Sequence, residues 1–408
     1  MFDDTDIDNL ERQALSDIFM ALQTRGHLKH MSQMPELKSA TQNPGTPGYW
    51  CEKAEIMGLS LRYCDLETIP DVFDRLSSLQ YLDITGNNLT SLPPSIASLT
   101  QLRVLWLDEN KLSILPTWCA NLENLEELHA DVNQLVSLPS DLNNLTNLQV
   151  FSVRDNQLTD LPAWLWQMPA LRQLSIGQNP LYTLPEAIGH LSTLIELYIH
   201  DNFLTELPET IGSLTQLHTL DIGHNRLTTL PESIGNLTNL TDFLYASDNH
   251  LQTLPQSMSN LTKLRYLGLT HNRFTRLPEI IGDLCSLVEL RLYNNALTQL
   301  PEALGQLINL QELYIMNNKL ISLPETIGQL ANLQILEVRN NSLVKLPASI
   351  TQLSRLTHLD LRGNNLLSVP ANMDQLPQLK KIDLRWNKLR SSPAVLSTLL
   401  ERGCLVYP

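Results

Sequence analysis

The sequence predicts an α/β solenoid. One parallel β-sheet is built strand by strand, short helical, 3₁₀ or extended returns run behind it, and a helical cap covers the N-terminal end. Three observations carry this prediction. The 408 residues repeat one phrase at a spacing of 23, which overrides the two or three domains that length alone would suggest. Each repeat holds a short apolar/polar alternation of strand period. Each such strand is followed by Asn and then by Leu-Pro, which end it.

The phrase is plain at Leu79, LQYLDITGNNLTSLPPSIASLTQ, and at Leu310, LQELYIMNNKLISLPETIGQLAN; both fit LxxLxLxxNxLxxLPxxIGxLxx. Fifteen repeats begin at Ile56, Leu79, Leu102, Leu125, Leu148, Leu171, Leu194, Leu217, Leu240, Leu264, Leu287, Leu310, Leu333, Leu356 and Leu379. In LxxLxL the fourth and sixth positions are apolar while the third, fifth and seventh are mostly polar, so one strand face is buried. Asn in the ninth position, from Asn87 to Asn387, stands where the chain leaves the strand. Its amide can bond the backbone of that turn in repeat after repeat. In the first repeat the slot holds Cys64. The Leu-Pro step forces an extended segment, and the xxIGxL tail has room for only a turn or two of helix or 3₁₀. No repeat can bury its leucines alone; stacked neighbours make one continuous core.

The pattern resembles the leucine-rich-repeat family over all but the two ends of the chain. Within that family, LPxxIGxL repeats of this length are similar to the intracellular plant Ras-group-related and Roco-type arrays and to many bacterial members. They differ from the longer repeat of extracellular plant receptors. The resemblance implies a curved horseshoe with the sheet on its concave face and short segments on its convex face.

The ends read differently. In residues 1–55 the positions Ile7, Leu10, Ala14, Ile18 and Leu22 keep near-helical spacing, with Thr5 ahead of Asp8 as a weak capping box. A capping helix is expected from about Asp6 to Gln23, and the Pro and Gly of NPGTPGYW predict turns. The repeats occupy 56–388. Residues 389–408 include PAVLSTLLERGCLVYP, which predicts a short amphipathic helix, a Gly stop and an apolar closing segment. That end resembles the closing cap of bacterial members of the family, so the array is expected to carry no catalytic domain.

A net charge of -15, from 28 basic and 43 acidic side chains, opposes nucleic acid and anionic membranes. The acidic start MFDDTDIDNL has no apolar core of a secretory signal, and no apolar run is long enough to span a bilayer. Five scattered cysteines suit a reducing compartment, so a cytoplasmic location is expected. The Asn-Leu-Thr triplets at Asn144, Asn236 and Asn260 read as repeat chemistry rather than glycosylation sites.

The chain contains no GxxxxGK[ST] loop, GxSxG, HExxH, kinase signature or CxxC pair. The GTPase domain of Roco proteins is thus not expected. No cysteine has Asp two residues on, so the nucleophile motif of bacterial leucine-rich-repeat ubiquitin ligases is absent too. No enzyme activity and no cofactor are expected. One polar column stands out at the eighth position: Asp201, His224, Asp248 and His271, with His200 beside it. It could be a His/carboxylate metal or small-ligand site. The favoured reading is loose His–Asp pairing in solvent, because metal ligands must converge and a column spreads them apart.

Side chains at positions three, five, seven and eight are expected to face solvent on the concave side. The candidate partner-binding residues there are Trp106, His129, Tyr198, His200, Phe243, Tyr245, Tyr266, Arg291, Tyr293 and Tyr314. Seven of the ten tyrosines fall on these positions, five of them between Tyr198 and Tyr314, a bias beyond the strand preference of tyrosine. Exposed aromatics on a rigid sheet anchor protein interfaces. Near the C-terminus Glu337, Asp360 and Asp383 form one column and Arg339, Arg362 and Arg385 the next. These are expected to neutralise one another as a ladder.

The ninth repeat, LTDFLYASDNHLQTLP from Leu240 to Pro255, is one residue longer than the others. Strand side chains alternate, so the insertion must be absorbed by a bulge or flip the strand. The preferred frame places the bulge between Leu240 and Leu244, buries Leu244 and Ala246, and turns Phe243, Tyr245 and Ser247 outward. The alternative frame, counted forward from Leu240, buries Phe243 and Tyr245 and leaves the tyrosine hydroxyl needing a partner. The function expected is a non-enzymatic scaffold for a protein partner, which the resemblance suggests is a small GTPase or other signalling protein. The alternatives are an exported bacterial effector or adhesin-like protein, and a small-ligand or metal receptor on the His/Asp column.

Overall fold

The computed structural model describes residues 8–24, 34–37, 47–390 and 394–408. Thr5 and Ile7, and with them the expected start of the capping helix, lie outside the described residues. The chain divides into two compact units, Met1–Tyr182 with His190–Ile199, and Thr183–Gly189 with His200–Pro408. Among the described residues no helix is long and apolar enough to cross a membrane.

In the first unit a helix spans Asn9–Thr24 and buries Ala14, Leu15, Ile18, Phe19 and Leu22. Leu10, expected on the inner stripe, is instead 55% exposed, because the buried stripe turns through Leu15 and Phe19. Asp17 holds the helix to the first repeat's return through Arg75 at 3.1 Å. The segment GYW, expected in a turn, opens a strand instead (Gly48–Glu52) that pairs antiparallel with Glu55–Ser60. The connection is Lys53-Ala54, both left-handed with φ of 51° and 69°. That is the two-residue hairpin turn whose twist matches its strands, formed here without the Gly or Asn that would have signalled it.

From Glu55–Ser60 onward the strands of the first unit are parallel, at Tyr81–Asp83, Val104–Trp106, Glu127–His129, Val150–Ser152, Gln173–Ser175 and Glu196–Tyr198. The second unit holds a second parallel run. Its strands are Thr219–Asp221, Phe243–Tyr245, Tyr266–Gly268, Glu289–Arg291, Glu312–Tyr314, Ile335–Glu337, His358–Asp360, Lys381–Asp383 and Leu405–Tyr407. Each strand inside the repeats beyond the first is three residues long because only the third to fifth positions alternate freely before the Asn turn. The leucines of the fourth and sixth positions, such as Leu290 and Leu292, are fully buried. The returns are 3₁₀ segments, as the short tail requires. Each entering Pro is extended, as at Pro231 with φ -67° and ψ 152°, which stops the strand before the return begins. At Gly235 an added Cβ would lie 2.3 Å from the Ser257 carbonyl oxygen, so successive returns stack backbone on backbone. Behind the last repeat a helix (Ala394–Glu401), Gly403 at φ 89° and the final strand close the core, as the sequence predicts.

The asparagine column has the expected role in full. Asn156 accepts the amide of Leu135 at 2.9 Å and donates to the carbonyls of Ala130, Val153 and Arg154. The same set recurs at Asn110, Asn133, Asn249 and Asn272. Each side chain therefore ties its own turn to that of the preceding repeat.

The residue before each asparagine is left-handed throughout, a feature that pattern reading alone did not show. Asp155, His224, Asn294 and Trp386 have φ between 54° and 59° or, for His224, 51°. Asn and Asp tolerate this region, whereas β-branched residues do not. Val132, at φ 52° and 42% exposed, is thus strained. Val132→Asn is expected to raise stability by about 1 kcal/mol, read as a higher urea midpoint; an unchanged or lower midpoint would show that the strain is absent.

The long ninth repeat folds in the preferred frame. Leu244 and Ala246 are fully buried while Phe243 and Tyr245 face outward. The strand pairs Leu244 with Leu220, a step of 24, and with Leu267, a step of 23. Thr241 and Asp242 together fill the second position: the Asp242 amide donates to His218, while the Thr241 carbonyl accepts from Arg265. Two residues thus oppose one on the flanking strands, which is a bulge. Ser247 departs from expectation. It is fully buried, and its hydroxyl accepts the Thr270 amide at 3.1 Å.

Candidate functional site

The outward strand face is less open than alternation implies. Asp83 and Thr270 are both 1% exposed although they occupy fifth and seventh positions, because large neighbours one repeat away lie over them. Around the bulge in the second unit, Phe243, Tyr245, Tyr266, Arg291 and Tyr293 remain half-exposed.

Tyr245 lies flat in a slot that two glycines leave open. A Cβ at Gly223 would come within 2.5 Å of its ring, and one at Gly268 within 2.9 Å. Glycine inside a strand marks such a close approach, and this was the available sequence signal for the slot. Tyr245 stacks on Tyr266 at 6.5 Å and 16°, and Phe243 meets the same ring edge-on at 6.5 Å. Arg291 lies 5.4 Å from the ring centres of both Tyr266 and Tyr314 and pairs with Glu289. Desolvation works against the Arg291 charge, but the Glu289 hydrogen bond and the neighbouring tyrosines hold its pKa above the usual value. Burial pushes the Tyr266 hydroxyl up to about 12, and Tyr245 upward as well, so both stay neutral. Tyr314 donates to Glu312 at 2.6 Å. Tyr293, edge-on to His271 at 5.5 Å, joins Arg291, Tyr314 and Arg339 around a cleft of about 410 Å³.

Of the sequence candidates, Phe243, Tyr245, Tyr266, Arg291, Tyr293 and Tyr314 thus form one group. His200 belongs to the same unit and pairs with Asp221 at 3.3 Å. Trp106 and His129 belong to another array in the first unit, where Trp50, Tyr81, Trp106 and His129 follow one another at 5.0, 5.5 and 5.5 Å. Burial there lowers the His129 pKa despite Asp131 and Glu127. Arg62 adds a cation 5.5 Å from the Trp106 ring and an ion pair to Asp83 at 3.2 Å. Tyr198 donates to Glu196 on its own strand at 2.9 Å.

The His/Asp column pairs along its length, whereas in the charged columns the pairing expected at Glu337 and Arg339 does not form, the Arg339 Nε being buried without a hydrogen-bond partner. His224 lies between Asp201 at 3.8 Å and Asp248 at 3.4 Å, each ring nitrogen facing a different carboxylate, and His271 reaches Asp248 at 3.6 Å. Each imidazole is shared between neighbours rather than aimed at a common point. In the charged columns Arg362 bridges Asp360 at 2.6 Å and Asp383 at 3.4 Å, and Arg385 holds Asp383 at 2.6 Å. These hydrogen bonds and charges keep the Asp383 pKa low against the desolvation that would raise it.

Comparison with known proteins agrees with this architecture. A family model described as leucine-rich repeat region matches residues 56–160, 245–322 and 304–401, and a second, described as leucine rich repeat, matches 192–251. No curated protein matches the chain. A solved leucine-rich-repeat protein from Leptospira interrogans is 34% identical with a TM-score of 0.78, covering 85% of this chain and 94% of that one. A plant peptide hormone receptor, RGFR1, solved in complex with RGF2, is 30% identical with a TM-score of 0.66, over 83% of this chain and 61% of the receptor. The Toll–Spatzle complex of Drosophila contains a chain 26% identical with a TM-score of 0.71, over 80% of this chain and 47% of that one. With its repeat, its asparagine column and these matches in agreement, the chain belongs to the leucine-rich-repeat family.

Proposed function

We propose that this protein is a non-enzymatic scaffold that grips a protein partner on the outward strand face of its second unit, and that it works in cytoplasmic signalling. The observation that carries the reading is a contact group in which Phe243, Tyr245 and Arg291 all meet the Tyr266 ring and Arg291 continues to Tyr314. It presents large, half-exposed rings on consecutive strands whose backbones are fixed by the ladder. Rigid aromatic and arginine side chains lose little entropy on binding and supply most of the energy at interfaces. Relatives of the same fold were solved as complexes, the plant receptor with RGF2 and Toll with Spatzle, which fits an interaction role. The cytoplasmic assignment rests on five unpaired cysteines, one of them the exposed Cys285, which suit a reducing compartment.

Partner capture with the full chain tests the proposal. Tyr245→Ala combined with Tyr293→Ala should cut recovery of the partner by about tenfold or more, as loss of two interface anchors does, with the melting curve retained. Undiminished recovery by the folded double variant would end the case for this face.

A further inference from the structure

The bulge in the ninth repeat opens a cleft of about 420 Å³ lined by Asp221, Asp242, Phe243, Tyr245 and Tyr266. We infer that this cleft is the receptacle for an arginine side chain of the partner. The inference rests on the interaction-face reading and adds the chemistry that the face selects.

The argument begins with the inserted residue. Sharing the second position between Thr241 and Asp242 brings in one more side chain than any other repeat has there, and that side chain is a carboxylate. Thr241 fixes the bulge from the side, its hydroxyl 3.3 Å from His218 Nδ1 and 3.4 Å from Asp242 Oδ1. Asp221, at the end of the neighbouring strand, supplies the second carboxylate; its Oδ1 accepts the Gly223 amide at 3.0 Å and its Oδ2 lies 3.3 Å from His200 Nδ1, so Asp242 is the carboxylate without a basic partner among the described residues. The rest of the wall is aromatic: Phe243 and Tyr245 from the bulged strand, and Tyr266 from the next. Gly223 and Gly268 leave the space in which the Tyr245 ring lies flat.

The same face shows what such a setting holds. One strand beyond Tyr266, Arg291 lies between two tyrosine rings at 5.4 Å each and is paired with Glu289. Aromatic faces attract a guanidinium through their quadrupole, and a carboxylate fixes its planar fork. The cleft offers a related combination, a mostly apolar wall of three rings with Asp221 and Asp242 contributing the small polar part of its surface. Among the described residues lining it none is basic. A cation from outside completes it, and the net charge of -15 favours the approach of a basic segment. An arginine suits the cleft because its apolar stem lies along the rings while the guanidinium reaches Asp221 and Asp242.

The test uses the full chain and three blocked pentapeptides, Gly-Ser-X-Ser-Gly, with arginine, lysine or citrulline at X, followed by saturation-transfer NMR. The arginine peptide is expected to receive saturation on its side-chain protons. Citrulline, isosteric but uncharged, should bind about tenfold more weakly or not at all, since it loses the charge-assisted bonds. Asp221→Asn with Asp242→Asn should reduce arginine binding by about tenfold. The side-chain carbonyl that remains at position 221 can still accept the Gly223 amide, so the fold is kept. Should that pair fail to fold, Asp242→Asn alone, at an exposed position, serves the same end with a smaller loss. Equal binding of arginine and citrulline, preference for lysine, no binding to the wild-type chain, or undiminished binding by the folded carboxylate variants would each overturn the inference. If partner capture is lost with the tyrosine variants while the arginine peptide fails to bind, the face stands and the arginine cleft falls. If the peptide binds through the carboxylates while capture survives the tyrosine variants, the cleft binds arginine but the partner does not use it, and both the face and the inference fall.

Discussion

Asn156→Ala is expected to destabilise the array by about 2–3 kcal/mol, since it leaves the buried Leu135 amide unpaired, at about 1–3 kcal/mol, and takes one donor from each of three carbonyls that keep another. The side chain is 8% exposed and serves four backbone groups at once: the Leu135 amide at 2.9 Å and the carbonyls of Ala130, Val153 and Arg154 at 2.9, 3.1 and 3.1 Å. Alanine supplies none of these bonds. Because the bonds cross from one repeat to the previous one, the loss weakens an interface between neighbours as well as one turn, and interface terms set the cooperativity of a solenoid. Urea unfolding followed by circular dichroism provides the check. The midpoint should fall sharply, and the transition should broaden or split as the array uncouples at that point. A loss below about 1 kcal/mol would mean that the column adds little beyond ordinary turn hydrogen bonds.

The second large effect depends on pH and concerns the first unit. Burial pushes the Asp108 carboxyl up to about 7, with further upward pressure from Asp131, Asp83 and Glu109; the Asp131 amide that it accepts at 2.7 Å works in the opposite direction. A carboxyl whose folded pKa lies above its unfolded value binds its proton more tightly when folded. Its stabilising contribution is complete below about pH 4 and disappears as pH rises to about 7. The first unit should therefore lose stability across that window. Asp108→Asn keeps an acceptor for the Asp131 amide and removes the buried charge. At pH 8 the variant should be more stable than the wild type by about 2–4 kcal/mol, and the difference should shrink toward pH 4. Urea midpoints of both proteins at pH 4, 6 and 8 decide this. A constant offset between them, or a wild-type advantage at pH 8, would show that Asp108 carries its charge without cost.

Much of the architecture was legible because the repeat states its rules many times. Leu at the fourth and sixth positions, Asn at the ninth and Leu-Pro after it each have one physical meaning, and stacked copies satisfy one another. The bulge was also legible, since only one frame buries Leu244 and Ala246 without placing a tyrosine hydroxyl in the core. The site was legible only in part. Phe243, Tyr245, Tyr266, Arg291, Tyr293 and Tyr314 come together because they occupy adjacent strands of one unit. Trp106 and His129 pack instead with Trp50 and Tyr81, and Tyr198 pairs with its own Glu196. Asp221 and Asp242, the carboxylates of the cleft, attract no notice in a list of exposed aromatics.

The sequence by itself determined the period, the strand frame, the asparagine column and the closing helix, because each depends on chemistry within one repeat and is copied into the next. Tertiary structure alone decided which outward residues remain accessible. Ser247, Thr270 and Asp83 are covered while Leu10 is open, and the backbone before each asparagine is left-handed. The slot for Tyr245 likewise exists only because Gly223 and Gly268 flank it from the neighbouring repeats. The physical reason is distance along the chain. Alternation is set by adjacent residues, whereas burial on the strand face is set by side chains a full repeat away, whose sizes the local pattern leaves free.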